Sequence, residues 1–301
     1  MAKGELVIGG DMAAASAYAD QRIAQAWLAP LGGRGTIDGD GNAATLDWWS
    51  AGIAGGYEGQ IDLGTGNGFA GFGIGYIRSH GSVDARLSSF DADGFHIGTY
   101  GAWEDGPWQL AGSLAYAANR VSTERNIVFG GLNRTAEADY WTHSLGFSGE
   151  AAYGMDMGGG TPFLPLFTLD AVWSGHGGFT ETGAGALNVS AGSESWTRLD
   201  TGIGLGISHV VATEAGRLVL EGRAVWEHAF ADVVPSQSLS FAGSPVGFDV
   251  RGPAASRDRL RIGAGLAWDV APDMTVRANY GGLFSGDQSS HTGSIGLNIR
   301  F

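Results

Sequence analysis

Seven histidines are the side chains most able to do chemistry, and their spacing forms no catalytic or metal-binding motif. The sequence holds neither the HExxH pair of zinc proteases nor the GxSxG turn of serine hydrolases. It has no cysteine, which excludes disulfides and thiolate metal ligands. Glycine-rich runs at 64–75 and 202–206 contain GxG pieces, but no helix follows them to receive a phosphate. We therefore expect no cofactor, no metal and no enzymatic activity.

The charged side chains are more informative, because they recur on one parity of segments in which apolar and polar residues alternate. Such alternation is typical of β-strands that separate two unlike media. The residues on the polar parity are Glu58, Glu150, Asp170, Asp200, Glu221, Arg223, Glu227, Arg259, Arg261, Arg277 and Arg300. An arginine at mid-depth on a lipid-facing wall costs about 2 to 4 kcal/mol, so this sorting favours strands that span a membrane. These charges have two possible roles. They line a transport path or hold a segment inside a barrel, or they form a network that only maintains the shape of the barrel.

Composition agrees with a barrel. The 301 residues include 53 glycines and 10 tryptophans but only 8 prolines. No apolar run reaches the roughly 18 to 20 residues that a spanning helix needs, whereas spanning strands are diluted by their polar face. A net charge of −14 disfavours a nucleic-acid partner, because phosphate contacts need clustered Lys and Arg.

We count about twelve alternating segments, an even number as in bacterial single-chain barrels. The first lies near residues 27–36 and the last is HTGSIGLNIRF at His291–Phe301. The facing of the segment at 95–103 stays undecided, because its residues do not sort cleanly. Short connections, such as 62–68 and 271–273, alternate with long ones, such as 231–256, as turns and loops do at the two ends of such barrels.

Residues 11–29, DMAAASAYADQRIAQAWLA, lack Gly and Pro and predict a helix roughly 30 Å long. The small side chains of this helix suit a narrow pore. We expect Ala13, Tyr18, Arg22 and Gln25 to contact the pore wall. The alternative is an amphipathic leader packed on a sheet. We therefore divide the chain into a linker and pore helix at 1–26 and a twelve-stranded barrel at 27–301. The first residues lack the features of a secretory signal, so a barrel implies a longer precursor or a start supplied by an expression vector.

The chain resembles the carboxy-terminal translocator domain of autotransporters, the type V secretion proteins of the Gram-negative outer membrane. The resemblance covers residues 10–301 and is carried by WLAPLGGRGTIDGDGNA at 27–43, by 162–207 with its phrase FTETGAGALNV, and by the terminal IGLNIRF. It implies an all-β, antiparallel, twelve-stranded barrel with a helix crossing the pore. The expected function is export and surface anchoring of an amino-terminal passenger domain.

The resemblance also implies partners. The barrel-assembly machinery recognises a last strand that ends in an aromatic residue, and Ile299 and Phe301 match that signal. Periplasmic chaperones, outer-membrane lipid and the passenger are the other expected partners, and the barrel is expected to be a monomer. Some family members cleave the passenger between two asparagines of the pore helix, but residues 11–29 contain none.

Two alternatives stay open at this point. The first is a porin or adhesin-type barrel without a pore helix. The second is an outer-membrane hydrolase with a site in its loops, for which His80, His176 and His228 are the candidates near strand ends.

Overall fold

The computed structural model describes residues 24–156, 161–214, 216–231, 233–244 and 246–301, and almost all regular structure in them is β-strand. In chain order the strands are β1 (Gln25–Ile37), β2 (Leu46–Ile61), β3 (Asn67–Val83), β4 (Ser88–Asp105), β5 (Trp108–Phe129), β6 (Leu132–Tyr153), β7 (Met155–Asp156), β8 (Pro162–His176), β9 (Phe179–Thr180), β10 (Val189–Ala191), β11 (Glu194–Thr213), β12 (Gly216–Ala229), β13 (Ser236–Phe241), β14 (Gly247–Arg251), β15 (Asp258–Ala271), β16 (Met274–Phe284) and β17 (Gln288–Arg300). Short 3-10 turns lie at Asp84–Arg86 and Gly185–Leu187.

Twelve of these strands form one closed antiparallel barrel, which confirms the predicted fold class and strand number. Each strand pairs with its neighbours in the order β1, β2, β3, β4, β5, β6, β8, β11, β12, β15, β16, β17. The ring closes where β17 pairs with β1, from Gln25 opposite Arg300 to Ile37 opposite Gln288. Closure leaves no unpaired edge in the wall, which a strand-built membrane protein requires.

The two ends of the barrel differ. The turn end carries Phe301 and the connections 62–66, 106–107, 154–161, 214–215 and 272–273. The loop end carries the two long connections, 177–193 and 230–257. These fold into a separate four-stranded sheet in the order β14, β13, β10, β9, which the sequence pattern did not predict.

Alternation along each strand separates an apolar outer face from a polar inner one. In β11, Leu199, Ile203 and Leu205 are exposed outward while Asp200 is buried inward. The strand left undecided, β4, follows the same rule, with Phe95 and Ile97 outward and His96 and Ala102 inward. Its pattern was unclear because Thr99 lies on the outer face and Tyr100 on the inner one.

The structure corrects one part of the helix prediction. Gln25 is not in a helix: it begins β1, opposite Glu58 of β2 and Arg300 of β17. Pairing on both sides outweighs the helix propensity of this stretch, because each strand residue gains hydrogen bonds to a neighbour. Ala13, Tyr18 and Arg22 lie outside the described residues, as does the rest of the predicted helix up to residue 23.

Candidate functional site: the charged lumen

The most deeply buried charges form one network on the inner wall. Glu227 on β12 is 1% exposed and contacts two guanidinium groups of β15, those of Arg259, at 3.1 Å, and Arg261. Arg259 also contacts Asp200 at 3.0 Å, and Arg198 pairs with the same carboxylate. Acids and bases therefore alternate across three neighbouring barrel strands, so that every carboxylate of this cluster has a cation beside it.

A second pair spans two further strands. The guanidinium of Arg223 on β12 donates to Glu150 on β6 at 2.9 Å, and β8 and β11 lie between them in the ring. Beside it, Ser148 donates to Asp170 at 2.6 Å. The Arg223–Glu150 contact connects wall strands that are not paired to each other, whereas the Ser148–Asp170 contact joins the paired strands β6 and β8.

A third cluster lies where β1 starts. The indole of Trp27 donates to the Tyr100 hydroxyl at 2.6 Å, and that hydroxyl donates to Glu58 at 2.6 Å. Gln25 donates its side-chain amide to the same carboxylate. The Trp27 ring lies flat on Gly56, where any added Cβ would be about 2.7 Å from the indole nitrogen. This cluster fixes the first strand to the second and fourth.

Near the turn end the inner wall lines an open pocket of about 200 Å³. Its lining combines apolar side chains such as Leu164 and Leu166 with a polar and charged set that comprises Glu104, Gln109, Glu150, Ser208, Glu221 and Arg223. Below it, Arg300 contacts Asp269 at 3.1 Å and thereby joins the last strand to β15.

The predicted inner charges are all buried or half-buried, at strand positions that alternate with exposed apolar side chains. Arg277 on β16 is half-buried there, on the face opposite the exposed Tyr280. The sequence did not identify Trp27, Tyr100 and Arg198 as members of this network, although Arg198 shares the parity of Asp200 and could have been found from it.

The histidine candidates for a hydrolase do not share a site. His80 and His228 face outward and contact Asp91 at 3.2 Å and Asp258 at 2.9 Å. His176 is buried and contacts Gln237 of the outer sheet at 2.7 Å. Within the described ranges, no group of three or more His, Asp or Glu side chains is placed to hold a metal ion. No helix among those residues is long and apolar enough to cross a membrane.

Comparison with known families decides what this barrel is. The family model described as Autotransporter beta-domain matches residues 26–281. The chain belongs to the autotransporter β-domain family. No curated protein matches the chain.

Solved autotransporter domains share the fold of this β-domain at low sequence identity. The translocator domain of the autotransporter NalP from Neisseria meningitidis has a TM-score of 0.75 and 18% identity, over 96% of this chain and 92% of that one. The β-domain of the Bordetella autotransporter BrkA has a TM-score of 0.65 and 18% identity, over 92% of this chain and 99% of that one. The transport unit of AIDA-I from Escherichia coli has a TM-score of 0.59 and 18% identity, over 92% and 90%.

Proposed function

We propose that this autotransporter β-domain inserts in the Gram-negative outer membrane and there enables export and surface anchoring of a passenger domain that precedes it. The observation that carries the proposal is the two-faced wall of a closed barrel in a chain of this family. Outside, apolar and aromatic side chains such as Ile203, Trp226 and Ile295 are exposed, as lipid contact requires. Inside, buried charges such as Asp200, Glu227 and Arg259 are held in ion pairs.

The export role is tested by display of a fused tag. A secretion signal and a peptide epitope are joined to residue 1, and intact cells are treated with an external protease. We expect the epitope to be cleaved on intact cells. A matched control lacks 288–301, so that β17 cannot close the ring with β1. An epitope that stays protected while the barrel is folded in the outer membrane would contradict export.

We also propose that residues 13–23 form a helix inside the lumen that tethers the passenger. Three features support it: the helical sequence pattern, the small side chains of that segment, and the position of its end. Phe301 donates its backbone N–H to the Ala24 carbonyl at 3.2 Å, so the segment before β1 approaches the barrel at the turn end. From there a helix over residues 13–23 would extend roughly 16 Å along the lumen, about half the thickness of a bilayer core.

Single-channel conductance tests the pore helix. The whole chain and a variant lacking residues 1–23 are refolded in detergent and inserted in planar bilayers. We expect the shortened barrel to conduct several-fold more current, because the lumen is then open along its length. Equal small conductances in the two proteins would contradict a helix in the pore.

The final residues are proposed to guide assembly. Ile299 and Phe301 lie on the outer face, where the Phe301 ring is 72% exposed and lies 5.9 Å from that of Tyr57. We propose that the barrel-assembly machinery binds this pair after periplasmic chaperones have delivered the chain, and that the inserted barrel is a monomer. Deletion of Phe301 should lower the yield in the outer membrane far more than it lowers the stability of barrels refolded in detergent. Equal losses would make the residue only a part of the wall.

A further inference from the structure

Four outward side chains form a row across the seam where the barrel closes. His291 on β17 lies opposite Arg34 on β1, Arg34 lies opposite Trp49 on β2, and Trp49 lies opposite His80 on β3. We call these four residues the seam arc. Neighbouring strands are about 4.8 Å apart, so one phosphate-sized group can reach both Arg34 and His291.

Arg34 differs from the other arginines on the outer wall near the loop end. Arg78 lies 3.9 Å from both Asp91 and Asp93, and Arg120 lies 3.6 Å from Asp139. Arg34 is exposed and has no ion pair or side-chain hydrogen bond with the residues that the structure describes. The carboxylate one step nearer the loops, Asp47, accepts instead from the Thr36 hydroxyl at 2.6 Å.

Each of the two histidines uses its Nδ1 atom for a contact within the protein. The Nδ1 atom of His291 is 2.8 Å from the Tyr280 hydroxyl, and the Nδ1 atom of His80 is 3.2 Å from Asp91. The Nε2 atom of each ring has no hydrogen-bond partner within the described part of the chain. The Tyr280 hydroxyl can donate to Nδ1 of His291, and the His291 ring then donates from Nε2 to an acceptor outside the protein. The Nδ1–H of His80 donates to Asp91, so His80 does not supply a second such donor.

The location defines the partner. The seam arc lies at the loop-end border of the apolar band. Ala51, Ile53 and Ile295 lie nearer the middle of that band, and the exposed indole of Trp49 belongs to the arc itself. Tryptophan and tyrosine belts mark the headgroup level of a bilayer. An arginine there is favourable when its charge meets an anionic oxygen, and costly when it faces hydrocarbon.

We propose that the seam arc binds the phosphate of an anionic lipid headgroup, in the leaflet that surrounds the loop end. Arg34 supplies the charge, His291 donates a hydrogen bond from Nε2, and Trp49, whose ring lies 6.1 Å from that of His80, packs on the lipid. The proposal rests on placement of the barrel in the outer membrane and is independent of what the barrel exports.

Native mass spectrometry of the refolded full chain tests lipid binding. The barrel is released from detergent micelles that contain equal amounts of phosphatidylglycerol and phosphatidylcholine. We expect retained phosphatidylglycerol to exceed phosphatidylcholine, and Arg34→Gln to lower the retained amount about fivefold, as expected for one basic side chain at an anionic surface. Arg120→Gln is the matched control, because Arg120 is exposed on the same wall but paired, and it should change retention less than twofold.

Three results would overturn the proposal. Arg34→Gln could retain the anionic lipid as the unchanged protein does, or Arg120→Gln could lose as much, which would indicate attraction without a site. Inorganic phosphate at the lipid's concentration could displace the lipid completely, which would make the arc a simple anion site. The folded state of each variant is checked by its electrophoretic mobility before heating. These results can be interpreted even if the export assay fails, because the lipid-binding measurement involves no passenger.

Discussion

Glu227 holds the inner network together, because its carboxylate is buried between Arg259 and Arg261. Glu227→Ala removes this carboxylate. The two adjacent guanidinium groups then lose the negative charge that offsets their mutual repulsion and their burial. Breaking a buried pair in this way costs about 3 kcal/mol or more. We expect that loss in the free energy of unfolding, measured by urea titration of the barrel in detergent micelles.

The matched control removes a carboxylate from an exposed pair. Asp139 lies 3.6 Å from Arg120, and both side chains are more than half exposed. Solvent screens such pairs, so Asp139→Asn should cost less than about 1 kcal/mol. Similar losses in the two variants would show that the buried network does not contribute more than surface charges do.

Asp40 ties two loops at the loop end. Its carboxylate accepts from the backbone N–H groups of Ala43, at 2.8 Å, and Ala254, at 3.1 Å. The hydrogen bonds from Ala43, Ala254 and Asn42 lower the pKa of this carboxyl below its ordinary 3.8. A lowered pKa means that the tie is fully present above about pH 4 and is lost as pH falls through the folded value.

Spin labels at residues 44 and 256 can measure the pH dependence of this tie. From pH 7 to about pH 4 we expect a single short distance between the two labels. Only well below pH 4 should the distribution of label-to-label distances become broad. In Asp40→Ala the distribution should be broad throughout. A tie that already opens near pH 5 would contradict a carboxylate stabilised by backbone N–H groups.

At the scale of elements, the contact between β1 and β2 depends on a glycine. A Cβ on Gly56 would clash most closely with the Phe72 carbonyl oxygen of β3, and it would also be 2.7 Å from the Trp27 indole nitrogen and 2.8 Å from the neighbouring ring carbon. Overpacking of this kind costs about 1 to 3 kcal/mol. Gly56→Ala should therefore lower the free energy of unfolding by about 2 kcal/mol.

Gly59 on the same strand supplies the comparison. A Cβ there meets no atom within 4 Å, so Gly59→Ala should be nearly neutral in the same urea titration. A larger loss for Gly59→Ala than for Gly56→Ala would show that strand propensity, and not the Trp27 contact, decides the effect.

The period of two was enough to predict the number of barrel strands and the faces of most of them. It placed Leu199 outside and Asp200 inside, because a strand between lipid and a polar lumen must alternate. It did not orient Trp27, which faces inward although it is aromatic, since only the hydrogen bond to Tyr100 across the lumen distinguishes it from a belt residue. The sequence pattern also did not predict the sheet of β9, β10, β13 and β14, because short strands in long connections carry too few residues to show a period of two.

The same limit applies to the first strand. The run from 11 to 29 has uniform helix propensity, so nothing local marks the point at which Gln25 begins to pair with Glu58 and Arg300. The pairing becomes visible only once the ring is closed. The ion pairs of the lumen were predictable as a set of inward charges, but their partners depend on which strands become neighbours.

At the scale of the whole molecule, the closed ring separates a lipid-facing surface from a charged lumen, and the proposed export route is that lumen. Two adjacent residues of β12 lie on opposite faces of the wall. Leu220 is exposed on the outer face, whereas Glu221 lines the inner pocket. Photoreactive side chains at these two positions can therefore distinguish a passenger inside the barrel from one that passes beside it.

The decisive measurement is photocrosslinking in cells during export of a fused passenger that is stalled by a disulfide-closed loop. We predict crosslinks to the passenger from position 221, and crosslinks only to lipid or to other envelope proteins from position 220. Passenger crosslinks from position 220 with none from position 221 would contradict transport through the lumen.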